Sequence, residues 1–285
     1  MFENIIKNVH NRHPLIHCIT NYVSINDCAN IVLACGGAPI MAEDINEVSQ
    51  ITSICQGLDI NIGMLNDNKL SSMLKAGATA NELGIPVILD PVGAGSSDYR
   101  IKAVQNLMSN VQFGVIRGNV SEIKAIAAKQ GIHNIAAGVY ETMQKNKSAM
   151  GVEAGIADKI TDDNIKEMAD FINKLSQKTG AVIAVTGGID MVADENRVYA
   201  IRNGHKMMSL VTGAGCQLSA LTSAYVAADK EHILESVCAA VSVMELAYRR
   251  MAEVDGNASY RNYIIDAVYN MTDETLKELG RIERI

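Results

Sequence analysis

The stretch VTGAGCQL contains the residues with the most distinctive chemistry in the chain, since glycines and a cysteine precede an apolar helical pattern. The glycine segment is Gly213, Ala214 and Gly215. The first backbone N–H groups of a helix lack intrahelical acceptors and carry partial positive charge, so glycines there let a phosphate approach closely. The stretch therefore predicts an anion hole, and an ordinary strand-to-helix turn is the alternative.

Cys216 adds a thiol to the predicted start of this helix. The positive end of a helix favours the thiolate, so we expect the pKa of Cys216 to lie below the usual value of about 8.5. Such a thiol could be a nucleophile, a base, or a small buried side chain. A cysteine hydrolase would also need a histidine beside the thiol, and His17 and His205 are the candidates.

Two carboxylates stand at the ends of predicted strands. Asp90 closes the apolar run PVILD, and Glu122 follows Asn119 by three residues in IRGNVSEIKAI. Open α/β sheets bind ligands at the carboxyl ends of their strands, and two carboxylates there suit a hydrated Mg²⁺. Both residues also have a structural interpretation, because Asp before Pro opens turns and the Asn119–Glu122 spacing is typical of a capping box. Arg117, on the same strand end as Asn119, would add a fork for phosphate oxygens.

Thr186 opens a glycine turn, VTGG, at the end of another predicted strand. Its hydroxyl and the backbone N–H groups of Gly187 and Gly188 suit phosphate oxygens, although a glycine turn alone would explain the same residues. The chain contains neither the P-loop lysine motif nor the complete dinucleotide fingerprint. Together, the carboxylates, the arginine, the threonine turn and the glycine-headed helix predict one magnesium–nucleotide phosphate site.

The elements that must position these residues are short apolar runs alternating with helical patterns, which is typical of βα units around a largely parallel sheet. The predicted strands cover residues 38–41, 58–63, 86–90, 113–118 and 181–187. Leucine, methionine and small residues recur at helical spacing between the second and third strands and predict the crossover helix of a parallel pair. We expect an α/β fold in one domain over residues 1–285.

Two features follow the fifth predicted strand. Extended runs on either side of Glu195 and Asn196 predict a hairpin at the edge of the sheet. From Ala214 or Gly215 the chain is predicted to be helical to near its C-terminus.

The composition excludes several classes of partner. The formal net charge is −7 and no basic run is present, which argues against nucleic-acid binding. No segment approaches the roughly 18 apolar residues of a membrane span, and the N-terminus lacks the layout of a signal peptide. The six cysteines form no CxxC pair, so we expect most of them to be small buried side chains of a soluble cytoplasmic protein.

Beyond these patterns, the chain resembles the hydroxyethylthiazole kinases of the ribokinase-like superfamily over nearly its whole length. The segments that carry the resemblance are PLIHCITNYVSIN, GGAPIMAE, NIGMLN, ANELGIPVILDPVGAGSSDYR, IRGNVSEI, AVTGGIDMVAD, NGHKMMSLVTGAGCQLSA and RIERI. The resemblance implies a central, mostly parallel sheet flanked by helices on both faces. It also implies a thiamine-salvage enzyme that phosphorylates the primary alcohol of 4-methyl-5-(2-hydroxyethyl)thiazole with ATP and Mg²⁺.

The resemblance further implies where the two substrates bind. Met41 and Asn21 would contact the thiazole, with Gly213 beside them. Arg117 and Thr186 would bind the nucleotide phosphates. Family members form homotrimers with the thiazole pocket at the subunit contacts, so the resemblance implies a homotrimer with active sites at its interfaces.

The resemblance implies the catalytic groups as well. Asp90 and Glu122 would organise Mg²⁺, and the segment from Gly213 through Ala214 to Gly215 would form the anion hole. Most ribokinase-like enzymes have an aspartate base after these glycines, whereas hydroxyethylthiazole kinases resemble this chain in having a cysteine there, Cys216. Phosphoryl transfer passes through a loose transition state, so a weak base suffices. We therefore expect Cys216 to orient or deprotonate the alcohol without forming a covalent intermediate.

One region departs from the family pattern. Residues 131–159 are longer than the short turn that the family has there. The extra length predicts an inserted helix or flap.

Three competing functions share parts of these patterns. A kinase of hydroxymethylpyrimidine or pyridoxal is disfavoured by Cys216 and by the segment APIM. A cysteine hydrolase would use the same thiol with a neighbouring histidine. A thiazole- or nucleotide-binding protein without catalysis is disfavoured by the full set of site residues.

Overall fold

The computed structural model describes residues 4–132, 159–249 and 256–285. Within these ranges one sheet has the strand order β2-β1-β3-β4-β5-β6-β7-β8-β9. The pairs from β2 to β6 are parallel, and those from β6 to β9 are antiparallel. The strands are β1 Leu15–Ile19, β2 Ala38–Ile40, β3 Gly57–Asn61, β4 Val87–Asp90, β5 Val115–Asn119, β6 Val182–Thr186, β7 Asp190–Ala193, β8 Val198–Ile201 and β9 Ile282–Arg284.

Helices cover both faces of this sheet. Successive residues of β4 belong to different cores, since Ile88 packs in one hydrophobic cluster and Leu89 in the other, as strand alternation requires. The α-helices are α1 Ile5–Arg12, α2 Ile25–Ala34, α3 Val48–Ile54, α4 Asp67–Glu82, α5 Asp98–Asn110, α6 Val120–Lys129, α7 Ile165–Thr179, α8 Ala214–Ala228, α9 Ile233–Arg249, α10 Asn257–Tyr269 and α11 Asp273–Leu279. The predicted α/β class, with a mostly parallel sheet between two helical layers, is confirmed.

The five predicted strands and the hairpin are present, and two further strands were missed. β1 contains His17, a polar residue that obscures the apolar pattern of a buried strand; its Nε2 lies 2.8 Å from the Ala42 carbonyl and its Nδ1 lies 2.9 Å from Thr52 Oγ1. β9 is three residues long and largely exposed, so it carries little hydrophobic signal. Because β9 pairs with β8, the prediction that the hairpin forms the sheet edge is wrong by one strand.

Helix α8 lies close against the sheet, and its sequence explains why. Its segment SALTSAYVAA is rich in small side chains and is buried throughout. A Cβ added at Gly57 on β3 would lie 3.1 Å from the Ala227 Cβ and 3.2 Å from the Ser223 carbonyl oxygen. This close packing holds the N-terminus of α8 at the carboxyl edge of the parallel strands.

Further expectations can be compared directly with the structure. All six cysteines are free and buried, as predicted. No helix in the described ranges is long and apolar enough to cross a membrane. The predicted insertion falls mainly on residues 133–158, which lie outside the described residues.

One core position works against stability. Asp59 on β3 is fully buried, and neither of its carboxylate oxygens has a hydrogen-bond partner among the described residues. Burial raises the pKa of Asp59 well above its ordinary value; the charge of Asp90 adds to this shift and Arg117 opposes it. An ionisable group whose pKa is raised on folding destabilises the fold as the pH rises from the unfolded toward the folded pKa.

We therefore expect Asp59→Asn to raise the free energy of unfolding at neutral pH by about 1–2 kcal/mol, because the amide keeps the volume and removes the ionisation. The gain should shrink as the pH falls toward about 4, where unfolded aspartate is also protonated. Urea unfolding of the wild-type and Asp59→Asn proteins at several pH values measures this difference in the free energy of unfolding. Asp170→Asn, at an exposed position of α7, is the control and should change little. A loss of stability in Asp59→Asn at neutral pH would contradict the argument.

Candidate active site

Four adjacent strands end in polar side chains at one edge of the sheet. Asn61 of β3 is directly opposite Asp90 of β4 in the parallel register. Asn119, the last residue of β5, is opposite Thr186, the last residue of β6, and Arg117 lies two residues before Asn119. Parallel strands direct these termini to a common edge, which is where open α/β sheets bind ligands.

Arg117 links two of the predicted phosphate-binding strands. Its Nη1 lies 3.7 Å from Asp90 Oδ1, and its Nη2 donates a hydrogen bond to Thr186 Oγ1 at 2.9 Å. The side chain is buried against the head of α8, where a Cβ at Gly215 would lie 2.7 Å from Nη1. A side chain at Gly215 would therefore displace the guanidinium, a consequence that only the tertiary structure reveals.

Glu122 caps its own helix and also reaches the turn that follows Asp90. Its Oε2 accepts from the Asn119 backbone N–H at 2.8 Å while Asn119 Oδ1 accepts from the Glu122 N–H at 2.9 Å, which confirms the capping box. Its Oε1 accepts from the Gly93 backbone N–H at 2.8 Å. Burial, and then the charge of Asp90, raise the pKa of Glu122 to about 7.

The two carboxylates have the donor set that Mg²⁺ favours. Asp90 Oδ2 accepts from Asn61 Nδ2 at 2.7 Å, whereas the buried Asp90 Oδ1 has no hydrogen-bond partner among the described residues. In the same ranges no three His, Cys, Asp or Glu side chains are arranged so that they could hold a metal ion by themselves. A cation here would thus be held by one or two carboxylates, water and substrate phosphates, which is how proteins usually bind Mg²⁺.

The helix head has the geometry of an anion hole. Helix α8 begins at Ala214, as predicted, and its N-cap Gly213 has a positive φ of 78°. A Cβ at Gly213 would lie 2.7 Å from Ser24 Cβ, so both backbone conformation and space favour glycine. The Ala214 N–H donates weakly to the Val211 carbonyl oxygen at 3.4 Å, whereas the next N–H groups of the first turn have no intrahelical acceptor and are available to an anion.

Cys216 lies in the first turn of α8, and Asn21 lies beside it. The Asn21 side-chain Nδ2 donates to Cys216 Sγ at 3.1 Å. Burial, and then the nearby charge of Asp90, raise the pKa of Cys216 to about 11. The expectation of a lowered pKa is therefore wrong, because desolvation and a neighbouring carboxylate outweigh the helix N-terminus and the hydrogen bonds that favour the thiolate.

The histidines required by a hydrolase are engaged elsewhere. The two ring nitrogens of His17 contact the Thr52 hydroxyl and the Ala42 carbonyl oxygen. His205 Nδ1 accepts from the Met207 backbone N–H at 3.3 Å, at the start of the short 3-10 helix Lys206–Leu210. These contacts disfavour a Cys216–histidine pair.

The predicted thiazole-contacting residues lie at the outer strands of the same edge. Asn21 follows β1, and Met41 follows β2, the next strand outward. Met41 packs against the core cluster that contains Cys216. The structure thus brings Asn21 into direct contact with Cys216 and places Met41 on the same face of the sheet.

Sequence reasoning missed two residues of this region. Asn61 joins Asp90 to Asn21, since its Oδ1 accepts from Asn21 Nδ2 at 3.1 Å. Its position as a polar residue ending an apolar strand was a usable signal, identical to that of Asp90. Lys69 of α4 is almost fully buried between the loops that follow β1 and β2, and no local pattern distinguishes it from a surface lysine.

Comparison with known proteins shows the family to which the chain is similar. Residues 6–161 and 132–274 match the model of the hydroxyethylthiazole kinase family. A hydroxyethylthiazole kinase of Clostridium acetobutylicum is 50% identical over 287 residues, covering 99% of each chain. One of Methanobrevibacter smithii is 40% identical over 284 residues, covering 98% of this chain and 95% of the relative.

Solved structures give the same family and fold. The hydroxyethylthiazole kinase protein of Pyrococcus horikoshii OT3 superimposes with a TM-score of 0.85 at 29% identity, covering 100% of this chain and 98% of that one. A pyridoxal kinase of Staphylococcus aureus, at 12% identity and a TM-score of 0.61 over 95% of this chain and 98% of that one, shares the fold. The protein is therefore a kinase of ribokinase-like fold, and the chain belongs to the hydroxyethylthiazole kinase family.

Proposed function

We propose that the protein transfers the γ-phosphoryl group of ATP to the primary alcohol of 4-methyl-5-(2-hydroxyethyl)thiazole, in thiamine biosynthesis. The observation that carries the proposal is the contact between Asn21 and Cys216 at the head of α8, beside the pair formed by Arg117 and Asp90. This contact places the groups suited to an alcohol, Asn21 and Cys216, next to the groups suited to phosphate. The names of the full-length relatives supply the identity of the alcohol.

The phosphate end of the site would be formed by side chains from β4 to β6. Arg117 and Thr186 would bind nucleotide phosphate oxygens, and the hydrogen bond between them already holds the guanidinium in place. Asp90 and Glu122 would hold Mg²⁺, which neutralises charge on the transferring phosphates when it is bound. Asp90 Oδ1 supports this assignment, because it is buried and accepts no hydrogen bond within the described ranges.

The head of α8 would stabilise the transferred group. The first N–H groups of the helix, around Gly213, Ala214 and Gly215, would donate to oxygens of the γ-phosphoryl group as charge develops on them. Such donors are effective because the fold has already oriented them before reaction. A side chain at Gly213 would clash with Ser24, and one at Gly215 would displace the Arg117 guanidinium from its place beside the helix head.

Cys216 would act on the alcohol. With its pKa raised to about 11, the thiol is protonated at neutral pH. Its sulfur accepts one hydrogen bond from Asn21 and would accept a second from the hydroxyl of the substrate, which aims the oxygen at phosphorus. Positioning of this kind is the main demand of a loose phosphoryl-transfer transition state.

The proposal includes the homotrimer of the family, with Met41 and Asn21 lining a thiazole pocket at each subunit contact. The exposed apolar side chains of Tyr22 and Val23, directly after Asn21, support an interface at this point. Light scattering should give the mass of three chains. A fully active monomer would overturn this part of the proposal.

The reaction itself is tested by ADP release from ATP and Mg²⁺ with four alcohols: the hydroxyethylthiazole, hydroxymethylpyrimidine, pyridoxal and ribose. We expect release with the thiazole alone, and none when Mg²⁺ is chelated. Release with another alcohol in preference would leave the phosphate site intact and refute the substrate. No release with any alcohol, from protein that binds ATP, would favour a binding protein without catalysis.

A further inference from the structure

Lys69 connects the two loops that carry the proposed thiazole contacts. Its Nζ donates to the Thr20 carbonyl oxygen at 2.5 Å, directly before Asn21. The same Nζ lies 2.8 Å from Glu43 Oε2, two residues after Met41. One ammonium group therefore joins the loop after β1 to the loop after β2.

A second contact closes the same connection. Tyr22 donates its phenolic hydroxyl to Glu43 Oε1, and the Lys69 Nζ lies 4.5 Å from the centre of the Tyr22 ring. Tyr22 and Glu43 are about half exposed, whereas the Lys69 residue is 3% exposed. The three side chains form a closed triangle whose inner corner is the lysine, and we call it the Lys69 clamp.

The position of the lysine is unfavourable for the helix that carries it. Lys69 is in the first turn of α4, where the N-cap Asn66 accepts from its backbone N–H at 2.9 Å. A cation near a helix N-terminus is disfavoured by the helix dipole, and burial of an ammonium group adds a desolvation penalty. The contacts with Thr20 and Glu43 offset these two penalties. The buried position of Lys69 is therefore best explained by the two loops that it holds together.

We infer that Lys69 is a positioning residue that sets the width of the alcohol pocket by fixing Asn21 relative to Met41, an inference that rests on the proposed function. The clamp lies on the thiazole side, away from the carboxylates and Arg117. It should consequently determine affinity for the alcohol and discrimination against larger ring alcohols. The phosphate site should keep its affinity for ATP when the clamp is removed.

The decisive variant is Lys69→Met, which keeps the length and apolar stem of the side chain and removes the ammonium. We expect the KM for the thiazole alcohol to rise about tenfold, the loss corresponding to one or two charge-assisted hydrogen bonds. The KM for ATP and kcat at saturating alcohol should stay within about twofold. Pyridoxal, for which no turnover is expected in the wild-type protein, should become a detectable substrate of the variant.

Two further variants separate positioning from stability. Lys75→Met removes a lysine of the same helix whose Nζ donates to the Ile45 carbonyl at 2.8 Å on the exposed surface, and it should leave every kinetic constant unchanged. Glu43→Gln removes the charge and keeps one oxygen that can accept from Lys69 Nζ, while its amide N–H can donate to the Tyr22 hydroxyl oxygen. It should therefore retain most of the alcohol affinity.

The outcomes distinguish this inference from the proposed function. If the wild-type protein does not phosphorylate the thiazole, the proposed function fails. If it does, and Lys69→Met changes neither the alcohol KM nor the selectivity, the clamp inference alone is overturned. Equal changes in both KM values together with a lower melting temperature would show a general structural role and would also overturn it.

Discussion

Arg117→Leu should lose phosphoryl transfer by on the order of 10³-fold and should also lower the free energy of unfolding by about 3–5 kcal/mol. The first effect follows because the proposed phosphate fork is removed. The second follows because Arg117 is the cation beside buried carboxyl groups: it lowers the pKa values of Asp90 and Glu122 against the effect of burial. Without Arg117, those carboxyl groups are buried with no positive charge beside them, which lowers the stability of the fold.

ADP release and urea unfolding measure the two effects separately. Arg117→Lys is the matched control, because it keeps a cation and gives up the planar fork. It should retain most of the stability and still lose most of the activity. Unchanged stability in Arg117→Leu would show that the carboxyl groups are already neutral or hydrated without the arginine.

A double variant tests the electrostatic reason directly. In Arg117→Leu/Asp90→Asn the uncompensated carboxylate nearest to the guanidinium is also removed, since Asp90 Oδ1 lies 3.7 Å from Arg117 Nη1. We expect part of the lost stability to return, with no recovery of activity. Strictly additive losses would indicate that the two side chains do not interact through charge.

Most of the fold was predictable because its signals are local. Buried parallel strands are short apolar runs, and the strands from β3 to β6 each end at a polar residue. The missed strand β1 shows the limit of this signal. His17 is tolerated inside it only because Thr52 and Ala42, distant in sequence, satisfy its ring.

The positions of the candidate site residues at strand ends could be predicted from the sequence. Their pKa shifts and charge contacts could not. The helix start at Ala214 and the capping box of Glu122 follow from sequence spacing. The raised pKa of Cys216 depends on burial and on Asp90, which the fold alone brings near. The Lys69 clamp is likewise a product of tertiary packing, because its partners come from two other loops.

Cys216→Ala should reduce kcat by about tenfold to a hundredfold, and Cys216→Asp should keep or raise it. Alanine removes the acceptor that the alcohol is proposed to meet. Aspartate restores a stronger acceptor at the head of α8, where the helix dipole favours a carboxylate, and Asn21 is placed to donate to it. Complete loss of activity in a folded Cys216→Asp protein would contradict the assigned role.

The pH dependence of the wild-type enzyme decides how the thiol acts. Since burial raises the pKa of Cys216 to about 11, a mechanism that requires the thiolate would make kcat climb steadily with pH through the range of about 7.5–9.5. A thiol that only orients the alcohol would leave kcat flat over that range, and this is the result we expect. Mass spectrometry of the enzyme during turnover should find no phosphorylated cysteine, because positioning requires no covalent bond to sulfur.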